Sequence, residues 1–355
     1  MLNSLYIKAI AKRGTIKEII PNNESKLSIE DYWEDKKIFE SPAKFSIGAG
    51  DGSYNKKKFL NSNFYAVAAE SLIFDNELKQ IEYCDLEQIE PVSFLDELLS
   101  YYMSIFELKC SLRAIRDYNV DYYYIDGSIY GDLLNPYPKG AKSPFNFKED
   151  ISGDVLDRFV KAIHEMEDDG LSFMKIKKHP LLKPFNKNIY ERDLYLSSFE
   201  RLLVLKELLE YPKQIISISK SSSANDIFES NIPDIAIFDK YTTKQGISSK
   251  ILYLTVSNKV NVTFPVYDKF FKELIFTVFY VRLEDNKSVL KIELPYEASR
   301  DEVYSIVEKI KKYSTDGYPY LLNKAHNDVV ITDRNIKELI KIAKINEKTN
   351  REMLG

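Results

Sequence analysis

The chain is short of cross-linking residues. Two cysteines in 355 residues cannot build a disulfide framework, and Cys84 and Cys110 lack the spacing of a zinc site. Both read as buried free thiols, and the expected compartment is intracellular, cytoplasmic. Long apolar runs are missing too. The longest, Leu274 to Val281, is far below the ~20 residues a membrane span needs, so no membrane association is expected. The amino terminus shows no basic head, apolar core and small-residue cleavage site, and so no secretory signal is expected. Positive charge is not in excess: a net charge of -4 excludes a protein that coats nucleic acid by bulk charge. It leaves room for an enzyme that holds nucleic acid in a local basic groove. No linker rich in Gly, Ser or Pro divides the chain, and no repeat of 20–50 residues is present. We read residues 1–355 as one α/β domain with a helical insertion over about 135–212.

What is present is an ordinary globular composition, 44% hydrophobic and 29% charged, and one tripeptide used twice. Two apolar, strand-like segments run into Asp-Gly-Ser, the first at Asp51-Gly52-Ser53 and the second at Asp126-Gly127-Ser128. Each places a carboxylate at a predicted strand end, with a glycine behind it to let the backbone turn. If the strands are neighbours, the two carboxylates meet where mixed sheets bind ligands. Close carboxylates repel unless a proton or cation lies between them, which points to a divalent metal.

The surrounding pattern predicts a helix near the amino terminus, a polar connector at 21–25 and a charged, partly helical stretch from Ile29 to Phe39. Strands follow, ending at Asp51 and covering 64–74 and 80–86 as an antiparallel meander. A long helix over 92–118 carries Leu95, Leu98, Leu99, Tyr102, Ile105, Phe106, Leu112 and Ile115 at helical spacing. Further strands are expected at 121–125, 214–220, 274–283 and 288–294, the last two as a hairpin. Helices are expected at 155–166 and 193–209, over 299–313 behind a Ser299/Glu302 capping box, and after Thr332.

The order strand, Asp, meander, helix, strand, Asp is that of a ribonuclease H-like fold, in which acidic residues from adjacent strands and a helix gather around divalent ions. The third carboxylate should come from the intervening helix. Glu107, in an apolar stretch, is the first choice, and Glu97 competes with it. Among three histidines, His326 stands out because Tyr318 precedes it by two helical turns, so both could face one way. Basic grooves are suggested by Lys56, Lys57 and Lys58 and by Lys175, Lys177, Lys178, Lys183 and Lys187. Solvated surface is the plain alternative for both.

Gly-Asp-Gly-Ser at 50–53, a helical Glu, Ile-Asp-Gly-Ser at 125–128, Ile-Ser-Lys-Ser-Ser at 218–222 and Tyr-Pro-Tyr-Leu-Leu-Asn-Lys-Ala-His at 318–326 occur in that order. The succession resembles the archaeal NurA nuclease family. The resemblance implies a manganese-dependent deoxyribonuclease (magnesium possible) acting on single-stranded DNA and, 5′ to 3′, on duplex ends. It implies a role in double-strand break end resection, a homodimer, and a HerA-type hexameric helicase as partner. By the same resemblance Asp51, Asp126, Glu107 and His326 are expected as metal ligands, Tyr318 as a site tyrosine, and Lys220 as the lysine that steadies the scissile phosphate. A histidine among the ligands favours manganese over magnesium. Two other readings remain: an actin- or hexokinase-like ATPase, disfavoured by only 12 glycines, and a non-catalytic DNA-binding scaffold.

Overall fold

The structure is a computed structural model that describes residues 3–13, 29–138, 189–259 and 263–345, with 157, 159–161 and 163. Among these, ten strands form one mixed sheet: β1 Trp33–Asp35, β2 Ile47–Lys58, β3 Asn63–Asp75, β4 Glu77–Ile89, β5 Tyr122–Asp126, β6 Ile215–Ser219, β7 Gly246–Ser248, β8 Leu252–Thr255, β9 Ile275–Arg282 and β10 Leu290–Leu294. The order is β1-β7-β9-β10-β6-β5-β2-β3-β4, with β8 also on β9. β2, β5 and β6 run parallel at the centre, and the flanks are antiparallel. A small ribbon of β11 Ser314–Thr315 and β12 Tyr318–Pro319 stands apart.

Helices cover both faces, which is why the central strands read as continuous apolar runs. On one face the helix Leu95–Tyr118 packs with the helix Ile189–Leu208, and a buried Lys109–Glu200 ion pair at 2.9 Å joins them. On the other, the helices Arg300–Lys312 and Tyr320–Val329 lie against Ile47, Ala49, Tyr124, Ile216 and Ile292. A third helix, Asp333–Ile342, covers Phe64 and Ala66 through Ile336. The expected meander, long helix, β6 and β9–β10 hairpin are present. So is the Ser299/Glu302 capping box, a device that contributes about 1 kcal/mol.

Several expectations are corrected. Ile29 to Phe39 is not helical beyond a 3-10 turn at Ile29–Asp31; Trp33–Asp35 is an edge strand paired with β7. β2 does not end at Asp51. It continues to Lys58 in unbroken register with β3, from Ile47↔Phe74 to Lys58↔Asn63. Cys110 is buried but Cys84, on the edge strand β4, is exposed. Tyr318 and His326 do not share a helix: Tyr318 is in β12, and Pro319 caps the helix that carries His326. No helix among the described residues is long and apolar enough to cross a membrane. The expected helix at 155–166, and with it much of the 135–212 insertion, falls largely outside the described residues.

Candidate active site

The parallel ladder between β2 and β5 stops at Gly50↔Ile125, so the next residue on each strand is Asp51 or Asp126. The two aspartates therefore stand side by side at one point of the sheet. They reach it differently. β5 ends there, and Gly127 turns the chain away with φ +114°, a conformation glycine alone adopts readily. β2 runs on, held by β3.

Alternation along β2 then sorts the site into two faces. Odd residues face the carboxy-terminal helices. The Asp51 Oδ2 is 2.6 Å from His326 Nδ1, and Ser53 Oγ accepts the Ile331 N–H at 3.0 Å. Even residues face the helix Leu95–Tyr118. A methyl group on Gly52 would stand 2.5 Å from Glu107 Oε1 and 2.5 Å from Met103 Cγ. Gly52 is thus a gap in the strand through which Glu107, on the helix side, approaches the aspartates. Its role is space, not the turn expected from the sequence.

Asp51, Asp126 and Glu107 line a cavity of about 180 Å³, together with Ser104, Asp132 and Arg201. Glu97 lines the adjoining cleft instead, ten residues earlier on the helix, so the structure brings Glu107 rather than Glu97 to the aspartates. Burial, then the charges of Asp51, Asp132 and Asp126, pushes the Glu107 carboxyl up to about 8, against the opposing pull of Arg201. The remaining groups attach from the other face. The Tyr318 hydroxyl donates to Asp126 Oδ2 at 3.1 Å, and burial followed by Asp126 raises its pKa. Lys220 Nζ lies 3.6 Å from the same oxygen and 4.1 Å above the Tyr318 ring.

Asp132 and Arg201 were not singled out from sequence. Arg201 donates through Nη2 to Asp132 and through Nε to Ser104 Oγ at 2.9 Å, closing one wall of the cavity. Both residues lie on the crossover between β5 and β6, where no motif announces them.

The donor set fits a divalent cation in kind. Three carboxylates share one cavity, one of them raised to about 8 by burial and then by its acidic neighbours, and a glycine keeps clear the space that a Cβ would fill. Among the described residues, however, no three His, Cys, Asp or Glu side chains are already drawn into a closed metal cluster. Asp51 and Asp126 instead have oxygens engaged by His326, Tyr318 and Lys220.

The expected DNA-binding lysines are not at this cavity. Lys56, Lys57 and Lys58 lie on the far half of β2, roughly 20 Å along the strand from Asp51 at ~3.3 Å per residue. Lys56 is paired with Asp96 at 2.5 Å. Lys175, Lys177, Lys178, Lys183 and Lys187 fall outside the described residues.

Comparison with known proteins gives a consistent result. The model of the NurA domain matches residues 45–331. The chain is 31% identical over 352 residues to the probable DNA double-strand break repair nuclease NurA of Methanocaldococcus jannaschii, covering 94% of this chain and 87% of that protein. It is 27% identical over 351 residues to the DNA double-strand break repair nuclease NurA of Saccharolobus solfataricus, covering 96% and 95%. In fold it matches the crystal structure of the NurA nuclease from Sulfolobus solfataricus with a TM-score of 0.75 at 22% identity over 97% of each chain. It matches that of a NurA bound to dAMP and manganese with a TM-score of 0.68 at 15% identity over 100% of each. The aspartate pair, the carboxylate entering past Gly52 and a family match spanning most of the sequence lead to one assignment: the chain belongs to the NurA family.

Proposed function

We propose that the chain is a divalent-metal-dependent deoxyribonuclease acting in double-strand break repair, with manganese as the foremost ion and magnesium as its substitute. The observation that carries this reading is the convergence of Asp51, Asp126 and Glu107 on one cavity at the end of the β2–β5 ladder. Support comes from the relatives' names and from the fold match to a NurA that holds manganese and dAMP. We read the order of strands and acids as that of a ribonuclease H-like sheet, and we take 1–355 as one nuclease unit with 135–212 inserted in it.

Asp51, Asp126, Glu107 and His326 would hold the metal. Bound there, it would supply an activated water at neutral pH and charge compensation on a phosphodiester. The chain's own groups complete the site. His326 spends Nδ1 on Asp51, which leaves Nε2 for a ligand or phosphate and orients the ring. Tyr318 fixes the Asp126 carboxylate by hydrogen bonding. Lys220, half-exposed and resting on the Tyr318 ring, offers an ammonium to a strand's phosphate where negative charge builds up. Glu107, protonated near neutrality without a cation, must give up that proton to become a ligand, so metal uptake strengthens as pH rises.

We place DNA contacts on Lys56–Lys58 and on Lys175, Lys177 and Lys178, as phosphate ligands that do not read bases. Single-strand cleavage, 5′–3′ digestion of duplex ends, a symmetric dimer and a HerA-type hexameric motor belong to the same proposal through family membership. The decisive experiment is digestion of labelled single-stranded and duplex DNA in manganese, magnesium or EDTA by wild-type and Asp51→Ala protein. Cleavage confined to metal and to wild type is the expected result. Equal cleavage by both proteins would remove the site assignment.

A further inference from the structure

Glu293, on β10, is fully buried, and a carboxylate so far from water needs several donors. Lys291 Nζ reaches its Oε1 at 2.7 Å and Ser128 Oγ at 2.5 Å, while the Tyr130 backbone N–H reaches Oε2 at 3.0 Å. Two of these three donors belong to the segment that begins directly after Asp126. The Ser128 hydroxyl also accepts the Gly131 N–H at 2.8 Å, so it caps the short helix Ile129–Leu133 while donating to Glu293.

The sheet register ties this carboxylate to the site. Glu293 pairs with Ser217, Ser217 with Ile125, and Ile125 with Gly50, one row across four strands. Asp126 and Asp51 are the next residues on two of those strands. Between Asp126 and Ser128 stands Gly127, whose added Cβ would meet nothing within 4 Å. Side-chain packing begins only with Ile129 and Tyr130, which are buried in the core, and gives Gly127 no direction of its own. The Gly127 N–H to Ile218 carbonyl bond, 3.0 Å, and the contacts to Glu293 give it one. A buried ion pair contributes little to stability against apolar residues of equal volume, so the Lys291–Glu293 pair calls for another role.

We propose that Glu293 is a positioning residue. Its carboxylate clamps the 127–130 turn and so fixes the direction of the Asp126 carboxylate and of Asp132 on the helix that follows. Lys291 pairs with Glu293, and Ser128 is the link, which explains why the second Asp-Gly-Ser carries a serine. The inference rests on the metal-nuclease reading for its catalytic consequence, but the clamp itself does not.

Two variants of the full chain test it. Ser128→Ala removes the linking donor. Glu293→Gln combined with Lys291→Met removes the buried charges together at nearly constant volume and keeps an amide oxygen for the Tyr130 N–H. Amide hydrogen exchange at 127–132 in EDTA reads the clamp directly, and electron paramagnetic resonance of free manganese reads ion affinity. In both variants exchange at the turn should quicken and manganese affinity fall about tenfold, as for other outer-shell partners of metal ligands. The kcat on a single-stranded oligonucleotide should fall while KM holds. Wild-type exchange and wild-type manganese affinity in both variants would overturn the proposal. If the double variant does not fold, Ser128→Ala decides alone. If the wild-type protein itself takes up no manganese, the metal reading fails, and exchange at the turn still decides whether the clamp exists.

Discussion

The same three residues, Asp-Gly-Ser, meet at the site from two strands, and each glycine is needed for what the other does not supply. Gly127 has empty space around it and a backbone conformation closed to other residues. Gly52 has ordinary strand geometry and no space, because Glu107 and Met103 occupy the place of its side chain. The serines diverge as well. Ser128 caps a helix and contacts Glu293, while Ser53 receives the Ile331 N–H and ties the segment after the His326 helix to β2. One motif thus solves a conformational problem on β5 and a packing problem on β2.

The largest effect expected is shared by both copies. Asp51→Ala and Asp126→Ala should each bring cleavage below about one part in 10³ of wild type while melting stays close to wild type, because a site ligand is lost rather than core. Substantial cleavage by one of them would break the symmetry of the pair. The glycines should then separate. Gly52→Ala displaces Glu107, and a misplacement of about 1 Å costs roughly 10²-fold in kcat. Its stability should change little, since the atoms it meets belong to flexible side chains. Gly127→Ala should instead lose about 1–3 kcal/mol through backbone strain, read in a denaturant titration. A Gly52→Ala protein that is unstable but fully active would reverse the argument.

The helix-side carboxylate gives a third, pH-dependent test. Burial and its acidic neighbours raise Glu107 from 4.5 to about 8. The stability it contributes is therefore present in full below pH 4.5 and lost progressively as pH rises to about 8. Glutamine does not titrate, so in EDTA Glu107→Gln should gain on wild type through that window and level off above it, by about 6 °C in melting temperature. Thermal melts at pH 5, 7 and 9 check this; a gain independent of pH would point to packing instead. The smallest effect belongs to Ser53→Ala, about 1 kcal/mol for one lost hydrogen bond, with quicker amide exchange at Ile331.

Much of the architecture was legible because its signals are long. The meander, the helix Leu95–Tyr118 and the β9–β10 hairpin each extend over enough residues for their periodicity to show. β1, β7 and β8, at three or four residues, are shorter than any pattern that could identify them, and sheet pairing alone makes them strands. At the site, Asp51, Asp126 and Glu107 could be chosen from acids at predicted strand ends and on the helix between them. Asp132 and Arg201 could not, because a crossover segment delivers them. Tyr318 and His326 were paired for the wrong reason: Pro319 starts the helix between them, and they reach different aspartates.

The uninterrupted register of β2 against β3 has a consequence for how this site tolerates change. Inserting or deleting one residue between Ile47 and Asp51 would exchange the two faces of the strand. Asp51 would then point into the helix layer, and a glycine would face His326. Ile47 and Ala49, wholly apolar and without a reactive group, act in effect as the reading frame for the carboxylate that follows them. Length variation among relatives should accordingly spare this stretch and collect in the crossover between β5 and β6, where added residues leave the parity of every site strand intact.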